Sequence, residues 1–238
     1  MTTPSGHLRH INLTLGDQET RLRQSLYDSL VRAAGKGEKG TMRRTLDVGA
    51  GRGELLQRLE RSGDDAYGID LEPECVTAAG QFGTCRQGNI EDIHRLFPDI
   101  QFDVVLCSHV LEHLDSPYAS LKTLASLGAE KYVFAVPNLL RPARILRALF
   151  GSMGGDHPEH VHAWAYAEFT ALLSRCGFHD FQRHTDRVTL NPFHGRLGAK
   201  LTRWLEPMET IFAPKFFPML SSSIIVSCRL KQKVLRNG

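Results

Sequence analysis

The chain has 238 residues, enough for one large domain or one domain with a small cap. Its 42% hydrophobic and 23% charged residues are ordinary for a globular protein, and a net charge of +3 lacks the basic excess of a nucleic-acid binder. No run approaches the roughly 18 apolar residues of a membrane span. The opening MTTPSGHLRHINLTLGD has no apolar signal core, and five scattered cysteines without a CxxC read as reduced thiols of a cytoplasmic protein.

Residues 1–16 read as irregular. Residues 17–34 place Leu22, Leu26, Leu30 and Ala33 at helical spacing, and glycines at 35, 37 and 40 make a flexible link. Residues 1–40 thus read as an N-terminal helical segment ahead of a domain spanning 41–238. From there the pattern alternates. Strand 44–49 leads to helix 53–62, strand 66–70 to helix 73–82, and a short strand 84–87 to a loop at 88–98. Strand 102–107 precedes helical residues 109–114 and 117–127. Strand 131–136, helix 166–176, strand 178–184 and a last strand 222–229 complete the chain. Alternation of this kind predicts an α/β fold with a mostly parallel sheet covered on both faces. Segments 139–163 and 190–220 are too long for ordinary connections and read as helical cap insertions above one end of the sheet.

The first strand-to-helix turn carries LDVGAGRGELL, residues 46–56, with glycines at 49, 51 and 53. Ligands of open α/β sheets bind beyond the carboxyl ends of the strands, and glycine lets a ligand approach backbone without meeting a Cβ atom. The spacing is GxGxG. A dinucleotide fingerprint would need glycine where Glu54 stands, and no P-loop lysine follows. A carboxylate there disfavours pyrophosphate and suits a ligand with positive charge. Asp70 ends the next strand, where an acidic side chain accepts hydrogen bonds from ribose hydroxyls. Asp47 and Asp70 also have plain readings as a turn cap and a helix cap.

LDVGAGRG, GIDLEPE, GNIEDI and FDVVLCSHVLEHL, in this order and spacing, resemble the class I S-adenosylmethionine-dependent methyltransferases across residues 44–185. The resemblance implies a Rossmann-like seven-stranded sheet in the order 3-2-1-4-5-7-6, with the last strand antiparallel. It implies S-adenosyl-L-methionine as cofactor and S-adenosylhomocysteine as product. Asp47 would hold the methionyl amino group, and Gly49 and Gly51 would lie against the methionine and ribose. Asp70 would bind the ribose hydroxyls, with Leu71 against the adenine. Family members often carry Asp where this chain has Asn89, whose amide oxygen would accept the adenine amino group, while the Ile90 N–H serves a ring nitrogen. Cys107 and Ser108 would line the methionyl side.

SHVLEHL places His109, Glu112 and His113 at spacings of three and four, on one face of a helix. His157, His160 and His162 follow in DHPEHVHAW. Three readings stay open. The LEHL residues pack the helix and orient a loop. One of His109, His113 and His160 is a general base for a hydroxyl acceptor. Or His109, Glu112, His113 and His160 bind a divalent metal, as the ExxEH pattern of the ubiquinone-pathway and small-RNA 2′-O-methyltransferases implies. The first Glu of that pattern is His109 here, and imidazoles suit Zn²⁺ better than Mg²⁺.

LRPARILRALFG, residues 140–151, sets Arg141, Arg144 and Arg147 in one stripe among apolar residues. It reads as a cap with a solvated basic face, a membrane-surface helix, or a contact for an acidic acceptor. Trp204, Phe212, Phe216, Phe217 and Met219 in the second insertion wall an apolar acceptor pocket or form a homodimer contact. The expected activity is methyl transfer to oxygen or nitrogen of a small-molecule acceptor, such as a saccharide, a lipid-linked compound or a secondary metabolite. The rivals are a metal-assisted RNA 2′-O-methyltransferase, disfavoured by the modest charge, and a non-catalytic S-adenosylmethionine-binding protein.

Overall fold

The computed structural model describes residues 17–37, 41–149, 160–190 and 205–231. Strands β1 (Arg44–Val48), β2 (Asp65–Asp70), β3 (Thr84–Gln87), β4 (Val104–Ser108), β5 (Lys131–Pro137), β6 (Phe178–His184) and β7 (Ser223–Leu230) form one sheet. Its order is β3-β2-β1-β4-β5-β7-β6, as the resemblance implies. β1 to β5 pair in parallel, and β7 runs antiparallel to both β5 and β6.

Both faces of the central strands are apolar because successive side chains point to opposite sides. Leu46, Val48, Val105, Cys107, Tyr132 and Phe134 join one buried cluster, while Val104, Leu106, Val133 and Ala135 join the other. Helices α1 (Asp17–Ala34), α2 (Glu54–Arg61) and α3 (Pro73–Ala79) cover the second face. Leu26, Leu30, Ala33 and Ala34 of α1 are buried in that cluster. The first face is covered by α4 (Ile93–Leu96), α5 (Pro117–Ser126) and α7 (Tyr166–Arg175). Gly177, at φ 100°, ends α7 in the left-handed conformation that suits glycine.

Three local expectations need correction. Residues 88–98 are more than a loop, for they hold a 3₁₀ turn (Ile90–Asp92) followed by α4. α3 stops at Ala79 and not at 82. Residues 109–114 form only a 3₁₀ turn, Leu111–His113, because His109 sits at φ 55° and cannot begin a right-handed helix. His109, Glu112 and His113 therefore do not share the face of a regular helix.

Of the insertions, the described parts are α6 (Pro142–Leu149) and a helical run that includes a π-helical turn, Met208–Phe212, and Ala213–Phe216. Both are anchored at segment 186–190. The Ala143 N–H donates to the Thr189 carbonyl (3.2 Å) and the Val188 N–H to the Glu209 carbonyl (2.9 Å). The Glu209 carboxylate is buried, pairs with buried Arg187 and accepts from the Leu190 N–H (2.8 Å). Asn138, just past β5, donates its amide to the carbonyls of Met219 and Ser221. The readings placed on His157 and Trp204 lie outside the described residues.

Candidate active site

The turn after β1 is built from left-handed residues: Gly49, Gly51 and Gly53 have φ of 76°, 53° and 89°. The three glycines meet different surroundings. A Cβ at Gly49 would lie 2.4 Å from Val110 Cγ2, and one at Gly53 would lie 2.7 Å from the Ala79 Cα. A Cβ at Gly51 would meet nothing within 4 Å. Gly49 and Gly53 thus let neighbouring chain close in, while Gly51 borders open space. The N–H groups of Gly49 and Ala50 both donate to the Ile69 carbonyl (2.9 Å each), which ties the turn to β2.

Asp70 ends β2 and braces this turn. Its Oδ2 accepts from the Gly51 N–H (2.8 Å) and its Oδ1 from the Glu72 N–H (3.0 Å). A carboxylate offers about four acceptor positions, so two backbone bonds leave capacity for further donors. Asp47 is 3% exposed. Burial above all, and then the charges of Asp70 and Glu54, push its carboxyl up to about 7. Asp47, Glu54 and Asp70 therefore bring three carboxyl groups within electrostatic reach of one another beside the glycine turn.

The remaining residues of the first set surround the same edge. Leu71 is 63% exposed directly after Asp70. Asn89 is exposed and opens a capping box: its Oδ1 accepts from the Asp92 N–H (3.2 Å), and Asp92 Oδ2 accepts from the Asn89 N–H (3.3 Å). The Ile90 side chain is buried in the core, as is Cys107, which brings only its main chain to the strand end. Ser108 is half-buried at the end of β4.

β4 delivers the second set. The His109 N–H donates to the Ala135 carbonyl (2.9 Å), and the chain then turns through Leu111–His113. The Glu112 carbonyl accepts from the N–H groups of Val161 (3.0 Å) and His162 (3.2 Å), which draws the segment after His160 onto the turn. One ligand atom each from Glu112, His113 and His160 lie within 4.8 Å of one another. The His113 and His160 rings meet edge to face, with centroids 4.7 Å apart. His109 stands beside this group: its Nε2 is 3.1 Å from Ser223 Oγ and its Nδ1 is 3.5 Å from Glu112 Oε1.

Glu112 is fully buried, and neither carboxylate oxygen has a hydrogen-bond partner among the described residues. Burial pushes its carboxyl up to about 7. His109, whose side chain is 35% exposed, is pushed below the usual imidazole range, first by partial burial and then by the positive charge that His160, Arg141 and His113 can carry. One buried carboxylate without donors, beside two imidazoles, is a donor set that fits a divalent transition ion such as Zn²⁺. Ser223 is the site residue that motif reading misses. It comes from the start of β7, 114 positions from His109, and a lone serine opening a strand carries no signal.

Comparison with known proteins supplies the family. A methyltransferase-domain family matches residues 18–182. The ubiquinone biosynthesis O-methyltransferase of Coxiella burnetii is 26% identical over 166 residues, which is 68% of this chain and 60% of that protein. Its counterpart in Psychrobacter cryohalolentis is 31% identical over 152 residues, 59% of this chain and 52% of that one. The chain thus spans about 60% or less of the length of these relatives. Magnesium protoporphyrin IX methyltransferase from Synechocystis, solved with S-adenosylhomocysteine, superposes with a TM-score of 0.59 at 16% identity, over 91% of this chain and 89% of that one. An S-adenosylmethionine-dependent methyltransferase from Archaeoglobus fulgidus gives 0.57 at 18% identity, over 88% and 91%. With its glycine turn, Asp70 at the end of β2 and this strand order, the chain belongs to the class I S-adenosylmethionine-dependent methyltransferases.

Proposed function

We propose that the protein transfers the methyl group of S-adenosylmethionine to an oxygen of a small-molecule acceptor bound beside Glu112, His113 and His160. The observation that carries this reading is the juxtaposition of two sites at one sheet edge. The glycine turn with Asp47 and Asp70 suits a cationic nucleoside. The carboxylate–imidazole group one strand away suits removal of an acceptor proton. The relatives named as O-methyltransferases support oxygen over nitrogen.

In this reading Asp70 accepts the two ribose hydroxyls and Gly51 clears the approach. Asp47 faces the methionyl amino group, and Asn89 and Ile90 meet the adenine. Methyl transfer is an in-line displacement, so placement supplies much of the rate. The acceptor oxygen attacks the methyl carbon, and the carbon–sulfur pair returns to sulfur as a neutral thioether. The hydroxyl proton passes to an imidazole, His113 or His160. A second reading is favoured by the buried Glu112 carboxylate, which accepts no hydrogen bond from a described residue: Glu112, His113 and His160 would hold a divalent ion. Such an ion lowers the pKa of a hydroxyl bound to it.

Labelled methyl transfer to a panel of phenolic and hydroxylated acceptors tests the activity, with zinc content measured on the same preparations. Wild type should methylate at least one acceptor. Glu112→Gln should retain cofactor affinity and lose transfer by about 100-fold or more. If the ion is present it should also lose roughly one zinc per chain. Cofactor binding without turnover of any acceptor would contradict the reading.

The buried Asp47 makes a pH prediction. Its folded value lies above its unfolded one, so its contribution to stability is present below about pH 4 and is lost as pH rises through about 7. A cationic ligand favours the ionised form. Cofactor affinity should therefore rise with pH up to about 7, approaching tenfold per unit, with release of up to about one proton on binding below that. Titrations near pH 6 and pH 8, in buffers of different ionisation enthalpy, check this. Equal affinities with no proton release would show that Asp47 does not face the ligand's charge.

A further inference from the structure

The two insertions expose large apolar side chains on one end of the molecule. On α6, Ile145 is 41% and Leu149 75% exposed, and only Ala143 is buried. On the run 208–217, Ile211 is 64%, Phe212 50%, Phe216 65% and Phe217 60% exposed. Both arms hang from segment 186–190. They also share one end of the sheet, where Pro137 at the end of β5 pairs with Ser223 at the start of β7. Scattered apolar residues on a surface need no explanation, but a group this large marks a contact face.

Charge narrows the partner. The described residues of the two insertions hold four basic side chains, Arg141, Arg144, Arg147 and Lys215, and two acidic ones, Glu206 and Glu209. One of these two acids, Glu209, is buried against Arg187, which lies outside both segments, and adds no outward negative charge. α6 carries Arg144 and Arg147 and no acid, and exposed Lys215 lies directly before Phe216 and Phe217. A second copy would bring this positive charge against itself. A bilayer with anionic lipid matches both features: acyl chains receive the aromatic and aliphatic groups, and headgroups meet the basic ones. No helix among the described residues is long and apolar enough to cross a membrane, so the contact would lie in the interface.

We infer that the face formed by α6 and residues 208–217 docks on the surface of an anionic lipid bilayer. The docking does not depend on which acceptor is methylated. At this end of the sheet it would bring the site's acceptor side to membrane-borne molecules.

Co-sedimentation of the full chain with vesicles tests it, using phosphatidylcholine alone and phosphatidylcholine doped with phosphatidylglycerol. Wild type should bind doped vesicles at least about tenfold more tightly than neutral ones, and lose that margin at high salt. The double variant Phe216→Ser, Phe217→Ser should lose binding by about tenfold or more, and Lys215→Glu by several-fold. Both should bind S-adenosylhomocysteine as wild type does, which shows that they are folded. Three results would overturn the proposal: no binding to doped vesicles, equal binding by the double-Phe variant, or a homodimer in sedimentation that the double-Phe variant splits.

Discussion

Asp70→Ala should weaken S-adenosylhomocysteine binding by at least about 100-fold, because hydrogen bonds to a charged acceptor contribute about 1.5–3 kcal/mol each and, in the proposed function, two ribose hydroxyls depend on this side chain. The same carboxylate accepts the Gly51 and Glu72 N–H groups, so its loss also loosens the turn. Asp70→Asn separates the two roles. Its amide oxygen can keep the bond to the Gly51 N–H, but the side chain is no longer a charged double acceptor. It loses the bond from the Glu72 N–H, should melt between wild type and Asp70→Ala, and should still bind markedly more weakly. Calorimetric titration with parallel thermal melts distinguishes these effects. Near wild-type affinity in Asp70→Ala would sink the ribose assignment.

The glycines give the second large effect, because they should fail in different ways. Gly53→Ala places a Cβ 2.7 Å from the Ala79 Cα at φ 89°. That backbone contact has no flexible end to yield. Strain and overpacking together should cost about 2–4 kcal/mol, visible as a drop of several degrees in Tm. Gly51→Ala meets nothing within 4 Å, so only its φ of 53° is penalised, by about 1–2 kcal/mol. In the proposed function its Cβ would fill space that the cofactor needs, and affinity should fall about tenfold or more while the fold survives. A Gly51→Ala protein that binds normally would show that the ligand does not approach the turn there.

Much of this architecture is legible in the sequence, for identifiable reasons. Strands such as VVLC in β4 and YVFAV in β5 are apolar on both faces, which only a sheet covered on both sides can bury. The glycine spacing and the acidic end of β2 are also legible, and the structure joins them through the bond from the Gly51 N–H to Asp70. The errors fall where period and geometry diverge. An H-x-x-E-H spacing fits an α-helix, yet His109 leaves β4 through a left-handed residue and the rest is a single 3₁₀ turn. Sequence spacing cannot register the sign of one φ angle. Nor can it show that Asn89 opens a capping box, which leaves its oxygen one further acceptor position, or that Ser223 arrives beside His109 from the far end of the chain. The apolar residues of the second insertion were equally ambiguous, since Phe216 and Phe217 look the same whether they line a pocket or face outward. The structure exposes both.

Glu112 joins the fold to the chemistry. Its carbonyl holds the segment after His160, and its carboxylate is buried without a hydrogen-bond donor. A buried carboxyl that accepts no hydrogen bond, with only the His109 ring 3.5 Å away, costs folding free energy. Within the proposed function, an acceptor proton or a divalent ion supplies the missing partner.

Calorimetric titration of the wild-type chain with S-adenosylmethionine and S-adenosylhomocysteine tests the central claim most directly. The glycine turn, braced by Asp70 and lined by Asp47, predicts one site of roughly micromolar affinity for both. Absence of binding by either ligand at about millimolar concentration would contradict it.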